Sequence, residues 1–246
     1  MASRSSPHSR WWFQPVAGNG PPIDETAVGE RYAAWFGRGL RGIGMRYVFS
    51  RRGLWVINTP FRRILAAANI GPQDRVLDLG CGIGNILIAL AERIAFTRPP
   101  IGVDVSPALI DLGRGEIRKA GLDQKIELRV APASRLPFAD ASFDLVLTSH
   151  VIKHLDDEAL AACFHEVARL LSPGGRFLMW EFKKSPLSAP IFISARATGL
   201  PPPFRLRSES TLRSALTQAG FQRVHRVSTG FFIVPPVPRL ALLATR

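Results

Sequence analysis

The chain is expected to fold as a doubly wound α/β sheet. Three observations point there. Val76, Leu77 and Leu79 form a short apolar strand that runs into Gly80, Gly82 and Gly84, and a helix-forming run begins at Asn85. A second strand-like run, Ile101-Gly-Val-Asp104, ends on an acid. From there to residue 182, apolar runs of strand length alternate with amphipathic runs of helix length, the pattern of a parallel sheet with helical crossovers.

Residues 1–23 contain no acid, carry Arg4 and Arg10, and are interrupted by Pro7, Pro15, Pro21 and Pro22. They read as a flexible basic tail without the apolar face of a targeting helix. A helical segment is expected from Asp24 onward, with Tyr32, Trp35, Phe36, Leu40, Ile43, Tyr47 and Val48 at spacings of three and four. Gly37, Gly39, Gly42 and Gly44 weaken it by ~1 kcal/mol each relative to Ala. Such a helix needs a surface to lie on, either the core domain, as a lid over the ligand site, or a membrane interface. Phe61, Ile64, Leu65 and Ala68 belong to a further helix, so 24–70 forms an N-terminal helical lid or substrate segment.

Residues 71–246 make the main domain. Strands are expected near 75–79, 100–104, 126–130, 143–149 and 175–182, and helices near 84–95, 107–120 and 157–171. Gly121 and Gly174 are placed as helix stops. A proline-rich insertion at 183–207 follows, and long loops of this kind often cover substrate sites. Ser208-Glu-Ser-Thr211 caps a helix stopped by Gly220, and runs at 224–227, 231–234 and 240–244 close the sheet.

The glycine loop is the most informative site. Glycines permit a tight turn and close approach of a ligand, and the following helix points free N–H groups at it. A dinucleotide fingerprint would read Gly-x-Gly-x-x-Gly. Here the spacing is Gly80-x-Gly82-x-Gly84, preceded by Asp78, which would repel a pyrophosphate and suits a ligand with a cationic amino group.

Several ordered motifs carry a resemblance. Val76-Leu-Asp-Leu-Gly-Cys-Gly-Ile-Gly84 resembles the first motif of class I S-adenosylmethionine-dependent methyltransferases. Asp104 matches the acidic ribose-binding position, Leu136-Pro-Phe-Ala-Asp-Ala-Ser-Phe-Asp144 the family's fourth strand, and Leu170-Leu-Ser-Pro-Gly-Gly-Arg-Phe-Leu178 the turn into its fifth. The similarity spans roughly residues 60 to 182. It implies a Rossmann-like seven-stranded sheet, mostly parallel with an antiparallel last strand, and S-adenosyl-L-methionine as cofactor. By this resemblance Asp78, Gly80, Cys81, Gly82 and Gly84 hold the methionine part, Asp104 the ribose, and Val105 the adenine face. One position departs from the family. Pro132 stands where an Asp usually accepts a hydrogen bond from the adenine amino group, and Ser134 is the candidate to compensate.

Ser149 and His150 lie at the carboxyl end of the fourth strand, where α/β sheets place their ligands. His150, and with less support His154, are candidate general bases or acceptor-orienting groups. His165 reads as a surface or packing residue. The two cysteines and five histidines show no coordinating spacing, so no metal is expected.

The net charge of +13 is unevenly divided: +6 over residues 1–74, −2 over 75–182 and +9 over 183–246. The basic flanks suit an anionic surface, although 27 arginines against five lysines also fit a simple compositional preference. Gly174-Gly-Arg-Phe-Leu-Met-Trp-Glu-Phe182 is similar to the fifth strand and exit of the quinone-biosynthesis C-methyltransferases, which act on isoprenoid-tailed rings at membranes. The expected acceptor is therefore a hydrophobic small molecule or lipid, a quinone-type ring or a lipid head group. A soluble natural product is the alternative. A nucleic-acid acceptor is disfavoured because Thr148-Ser-His-Val-Ile152 replaces the Asn/Asp-Pro-Pro-aromatic motif of DNA and RNA amino-methyltransferases. A non-catalytic cofactor-binding protein is the remaining class. The expected location is cytoplasmic, with peripheral membrane contact through the flanks.

Overall fold

The computed structural model describes residues 25–37, 60–185, 205–229 and 239–246, together with Ile43 and Tyr47. One sheet contains β1 (Val76–Leu79), β2 (Ile101–Asp104), β3 (Glu127–Val130), β4 (Phe143–Ser149), β5 (Leu171–Phe182), β6 (Arg223–Val227) and β7 (Arg239–Thr245). Its order is β3-β2-β1-β4-β5-β7-β6. The first five strands pair in parallel, and β7 runs antiparallel to both β5 and β6. Helices are α1 (Glu25–Gly37), α2 (Pro60–Ala67), α3 (Asn85–Ala91), α4 (Pro107–Lys119), α5 (Asp157–Leu170) and α6 (Glu209–Gln218), with a 3₁₀ turn at Ile152–His154.

Local chemistry explains the boundaries. The Ser106 hydroxyl accepts from the Leu109 N–H, and Pro107 opens α4 where its missing N–H costs nothing. Asp156 caps α5 by accepting from Ala159, and Ser208 caps α6 by accepting from Thr211. Every residue of β1 is buried, because helices cover both faces of the sheet. One apolar layer joins Leu77, Val146, Phe164, Phe177 and Phe221, and the other joins Ile64, Val76, Leu145, Leu178 and Trp180. Burial of each large side chain contributes about 1.5–3 kcal/mol. The strand order reverses between β1 and β4, which opens a crevice at their carboxyl ends.

Two expectations need correction. The helix placed at 84–95 ends at Ala91, where the Arg93 and Ile94 N–H groups both turn back to the Leu90 carbonyl. Gly174 is not a helix stop: α5 ends at Leu170, β5 begins at Leu171, and Gly174 sits at φ +75° near a register shift against β4. Gly121 does follow α4, at φ +68°. The tail at 1–23, most of 38–59, most of the proline-rich insertion and the run at 231–234 lie outside the described residues. Among the described residues no helix is long and apolar enough to cross a membrane.

Candidate active site

The carboxyl ends of β1 and β2 build one half of the site. The Gly80 and Cys81 N–H groups both donate to the Val103 carbonyl, at 2.8 and 2.9 Å, tying the glycine loop to β2. Gly80 has φ +71°, and a Cβ there would stand 2.1 Å from a Val151 methyl. Only glycine satisfies both conditions. Gly84 caps α3 and donates to the Cys81 carbonyl at 2.9 Å. Among the described residues no atom lies within 4 Å of where a Cβ on Gly82 would be, so the loop leaves an open cradle there. Burial pushes the Cys81 thiol well up, with the charges of Asp78 and Asp104 adding to it.

Two carboxylates face this cradle. Asp104 accepts from the Gly82 N–H and the Ser106 N–H, each at 2.9 Å, one on each oxygen. Each oxygen keeps capacity for another donor. Burial raises its pKa, and hydrogen bonds from Ser106, Gly82 and Val105 oppose that rise. Asp78 is 1 % exposed, and neither of its oxygens has a hydrogen-bond partner. Burial, and then repulsion from Asp104, push its pKa up to about 7. An orphaned buried carboxylate is costly unless a donor or cation meets it. An amino group for Asp78, a diol for Asp104 and room above Gly82 together fit S-adenosylmethionine.

The rim of this half differs from residue to residue. Val105 is half-buried under α1: a Cβ on Gly29 would lie 3.0 Å from a Val105 methyl and 2.9 Å from the Ser106 Cβ. Helix α1 therefore lies with its backbone directly on the loop after β2. Ser134 and Pro132 are exposed in the turn after β3, which is held beside Asp104 by a 3.0 Å bond from the Ala131 N–H to the Asp104 carbonyl.

The ends of β4 and β5 build the other half. Ser149 is half-buried at the last position of β4, and buried Thr148 ties β4 to β1 through the Leu79 carbonyl at 3.0 Å. His150 adopts φ +61° and donates its N–H to the Trp180 carbonyl at 2.9 Å. Its ring packs on Phe182, with centroids 4.3 Å apart, and on Trp180. Its Nδ1 lies 3.3 Å from Glu181 Oε1. Burial lowers the His150 pKa to about 4, against the pull of Glu181. Burial would raise Glu181, but Lys153, His150 and the Phe182 N–H bring it down to about 2. Lys153 Nζ is 3.8 Å from Glu181 and its side chain only 3 % exposed; burial lowers its pKa to about 8. The neutral His154 ring, pushed down to about 2 by burial and Lys153, holds Nε2 3.0 Å from the Tyr32 hydroxyl of α1. Arg239 lies over the Trp180 and Phe182 rings.

The structure thus brings Asp78, Gly80, Cys81, Gly82, Gly84, Asp104 and Val105 into one pocket wall, and Ser149, His150 and His154 into an adjoining one. Val151, packed on Gly80, joins the two. Ser134 stands at the outer edge. Three contributors were not singled out from sequence. Lys153 and Arg239 gave no signal in the sequence, and Tyr32 reads as one position of an apolar stripe. Glu181 entered only as part of the similarity over residues 174–182, with no role of its own. His165 is exposed on α5. Among the described residues no cluster of His, Cys, Asp and Glu could hold a metal ion.

Comparison with known proteins bears on this geometry. A family model described as a methyltransferase domain matches residues 76–175. The ubiquinone/menaquinone biosynthesis C-methyltransferase of a Geobacter species is 33 % identical over 167 residues, 67 % of each chain. Other relatives of this kind match over less, and the chain spans about half to two thirds of the length of the curated relatives it matches. A chain from the complex of a Haloferax volcanii methyltransferase with its Trm112 activator superposes with a TM-score of 0.67 at 19 % identity, covering 89 % of this chain and 96 % of that one. Geranyl diphosphate methyltransferase, solved with its substrate and the S-adenosylmethionine analogue sinefungin, gives a TM-score of 0.59 at 17 % identity over 76 % of each chain. These two likenesses speak to the fold.

Proposed function

The chain belongs to the class I S-adenosylmethionine-dependent methyltransferases, and from that premise we propose that it methylates a hydrophobic acceptor carrying a quinol-type ring. The observation that carries the reading is His150, a neutral imidazole packed between aromatic rings and backed by the Glu181 carboxylate. That arrangement suits a flat, apolar acceptor with an acidic hydroxyl. Relatives named for ubiquinone and menaquinone biosynthesis support a ring of this kind.

The cofactor, when bound, supplies an electrophilic methyl group on a sulfonium sulfur. Asp78 would meet its amino group, Asp104 its ribose hydroxyls, and Val105 and Ser134 would border the adenine. Gly82 leaves the backbone open to the methionine part, and Ser149 borders the reacting end. Ionised Glu181 accepts from Nδ1–H of His150, which leaves Nε2 unprotonated. Nε2 takes the proton from the acceptor hydroxyl and so increases electron density at the ring carbon that would receive the methyl group in place of its bond to sulfur; the hydrogen on that ring carbon would then leave as a proton as the ring regains aromaticity. His154 plays a different part, because its Nε2 already meets Tyr32 and holds α1 down. Trp180, Phe182 and α1 exclude water and fix the approach. In this reading residues 24–70 are the lid.

The basic flanks fit a peripheral contact with anionic lipid, where an isoprenoid-tailed acceptor resides. Residues 31–52 contain six arginines and no acid, and Ile43 and Tyr47 are each more than half exposed. The test of the proposed reaction is methyl incorporation into an isoprenoid-tailed quinol, followed by mass spectrometry. His150→Gln is expected to lower kcat by roughly 10²–10⁴-fold with cofactor affinity retained. Absence of a methylated quinol from the wild-type chain, or full turnover by His150→Gln, would overturn the reading.

A further inference from the structure

We propose that Lys153 is the positioning residue for His150, gripping both the backbone of the histidine and its carboxylate partner so that the ring keeps its Nε2 free. The inference rests on His150 as the proton acceptor. Its grounds are geometric. His150 occupies the left-handed backbone region, which a residue with a side chain seldom adopts unless its surroundings hold it there. Two contacts hold it: its N–H donates to the Trp180 carbonyl, and its own carbonyl accepts from Lys153 Nζ. The same ammonium stands 3.8 Å from Glu181 Oε1, and the Lys153 N–H donates to Oε2 at 3.2 Å. Lysine is rarely buried this deeply unless it is paired.

The chemical consequence concerns the tautomer. An imidazole in water carries its proton mainly on Nε2. Here Glu181 Oε1 can only accept, so the proton is drawn to Nδ1 as long as Glu181 stays ionised. Burial opposes that ionisation and Lys153 sustains it. The other charged or titratable groups facing the cluster are Arg239 from β7, His154 from the 3₁₀ turn and Tyr32 from α1. Lys153 meets both the His150 carbonyl and Glu181.

The test uses the full chain with ¹⁵N-labelled histidine rings. In the wild type, His150 should show a protonated Nδ1 and an unprotonated Nε2. Lys153→Met should move the proton to Nε2 and lower kcat roughly 10–100-fold, with S-adenosylmethionine affinity within twofold of wild type. If Lys153→Met fails to fold, Lys153→Gln keeps a donor for the His150 carbonyl while removing the charge that sustains Glu181. It should show the same change of tautomer. Retention of the Nδ1 proton in either variant overturns the inference. The two failures are distinguishable: full turnover by His150→Gln sinks the base, whereas an unmoved Nδ1 proton sinks only the role of Lys153.

Discussion

Binding of S-adenosylmethionine should release a proton, and Asp78 is its source. Both Asp78 oxygens are buried without partners, and the carboxyl pKa is pushed up from 3.8 to about 7. In the free protein Asp78 is then roughly nine-tenths protonated at pH 6 and half at pH 7. An α-amino group, with a pKa of about 8, is cationic at pH 6, and its arrival favours the ionised carboxylate. The expected release is therefore about 0.9 proton at pH 6 and about 0.4 at pH 7, turning to a net uptake of about 0.9 at pH 9, where the free ligand's amino group is itself mostly neutral. Calorimetry in phosphate and in imidazole measures it, because the two buffers differ in ionisation enthalpy and both hold pH 6. The same pKa shift has a stability cost of about 4 kcal/mol above neutral pH. Since the folded state binds this proton more tightly than the unfolded chain, the stabilising contribution is complete below about pH 4 and is lost as pH rises through 7. Asp78→Asn should accordingly raise the thermal midpoint of the ligand-free protein at pH 8, abolish proton release and weaken cofactor binding. Equal binding enthalpies in the two buffers at pH 6, or a variant less stable than wild type at pH 8, would refute the reasoning.

Three further outcomes follow from the same geometry. Gly80→Ala should cost about 2–4 kcal/mol in denaturant unfolding, since the new methyl meets Val151 at a strained φ; Gly80→Ala/Val151→Ala should recover part of it. Asp104→Ala removes the acceptor for the Gly82 and Ser106 N–H groups as well as for the ribose, and calorimetry should read a loss of affinity of about 10²-fold or more. An unchanged affinity would remove Asp104 from the site. Replacing Arg38, Arg41 and Arg46 with Ser should weaken sedimentation with anionic vesicles by about 1 kcal/mol per residue, with no change on neutral vesicles; equal sedimentation would dispose of the lipid contact.

What the sequence disclosed follows a physical division. Local rules sufficed to place the residues of the glycine loop and the acid after it. The glycine spacing, the strand before it and the acid at the end of the next strand are set by neighbours in the chain, and the sheet brings them together as expected. Caps such as Ser208 were equally visible because capping is a contact across three residues. The acceptor wall was less visible. Lys153 matters only because Glu181, 28 residues away, lies against it, and Arg239 only because β7 passes beside the ends of β5. Tyr32 lies 122 residues from His154. Gly174 misled for the related reason that a glycine at positive φ serves a strand irregularity as readily as a helix end. Pro132, which removes an expected adenine contact, remains exposed at the rim with the turn held by backbone bonds instead.

Helix α1 gives the two walls a common fate. Gly29 presses on Val105 and Ser106 beside the ribose carboxylate, and Tyr32, three residues along, meets His154 on the acceptor side. Three residues are less than one helical turn, about 4.5 Å of rise, so the contacts belong to one rigid segment. A motion that parts Tyr32 from His154 also lifts the backbone at Gly29 off the loop after β2. The absence of a side chain at Gly29 is what allows the helix to lie close enough for both contacts to form at once. In the proposed reaction water would then be excluded from both sides together, the condition under which a sulfonium methyl and a deprotonated ring could meet without hydration intervening.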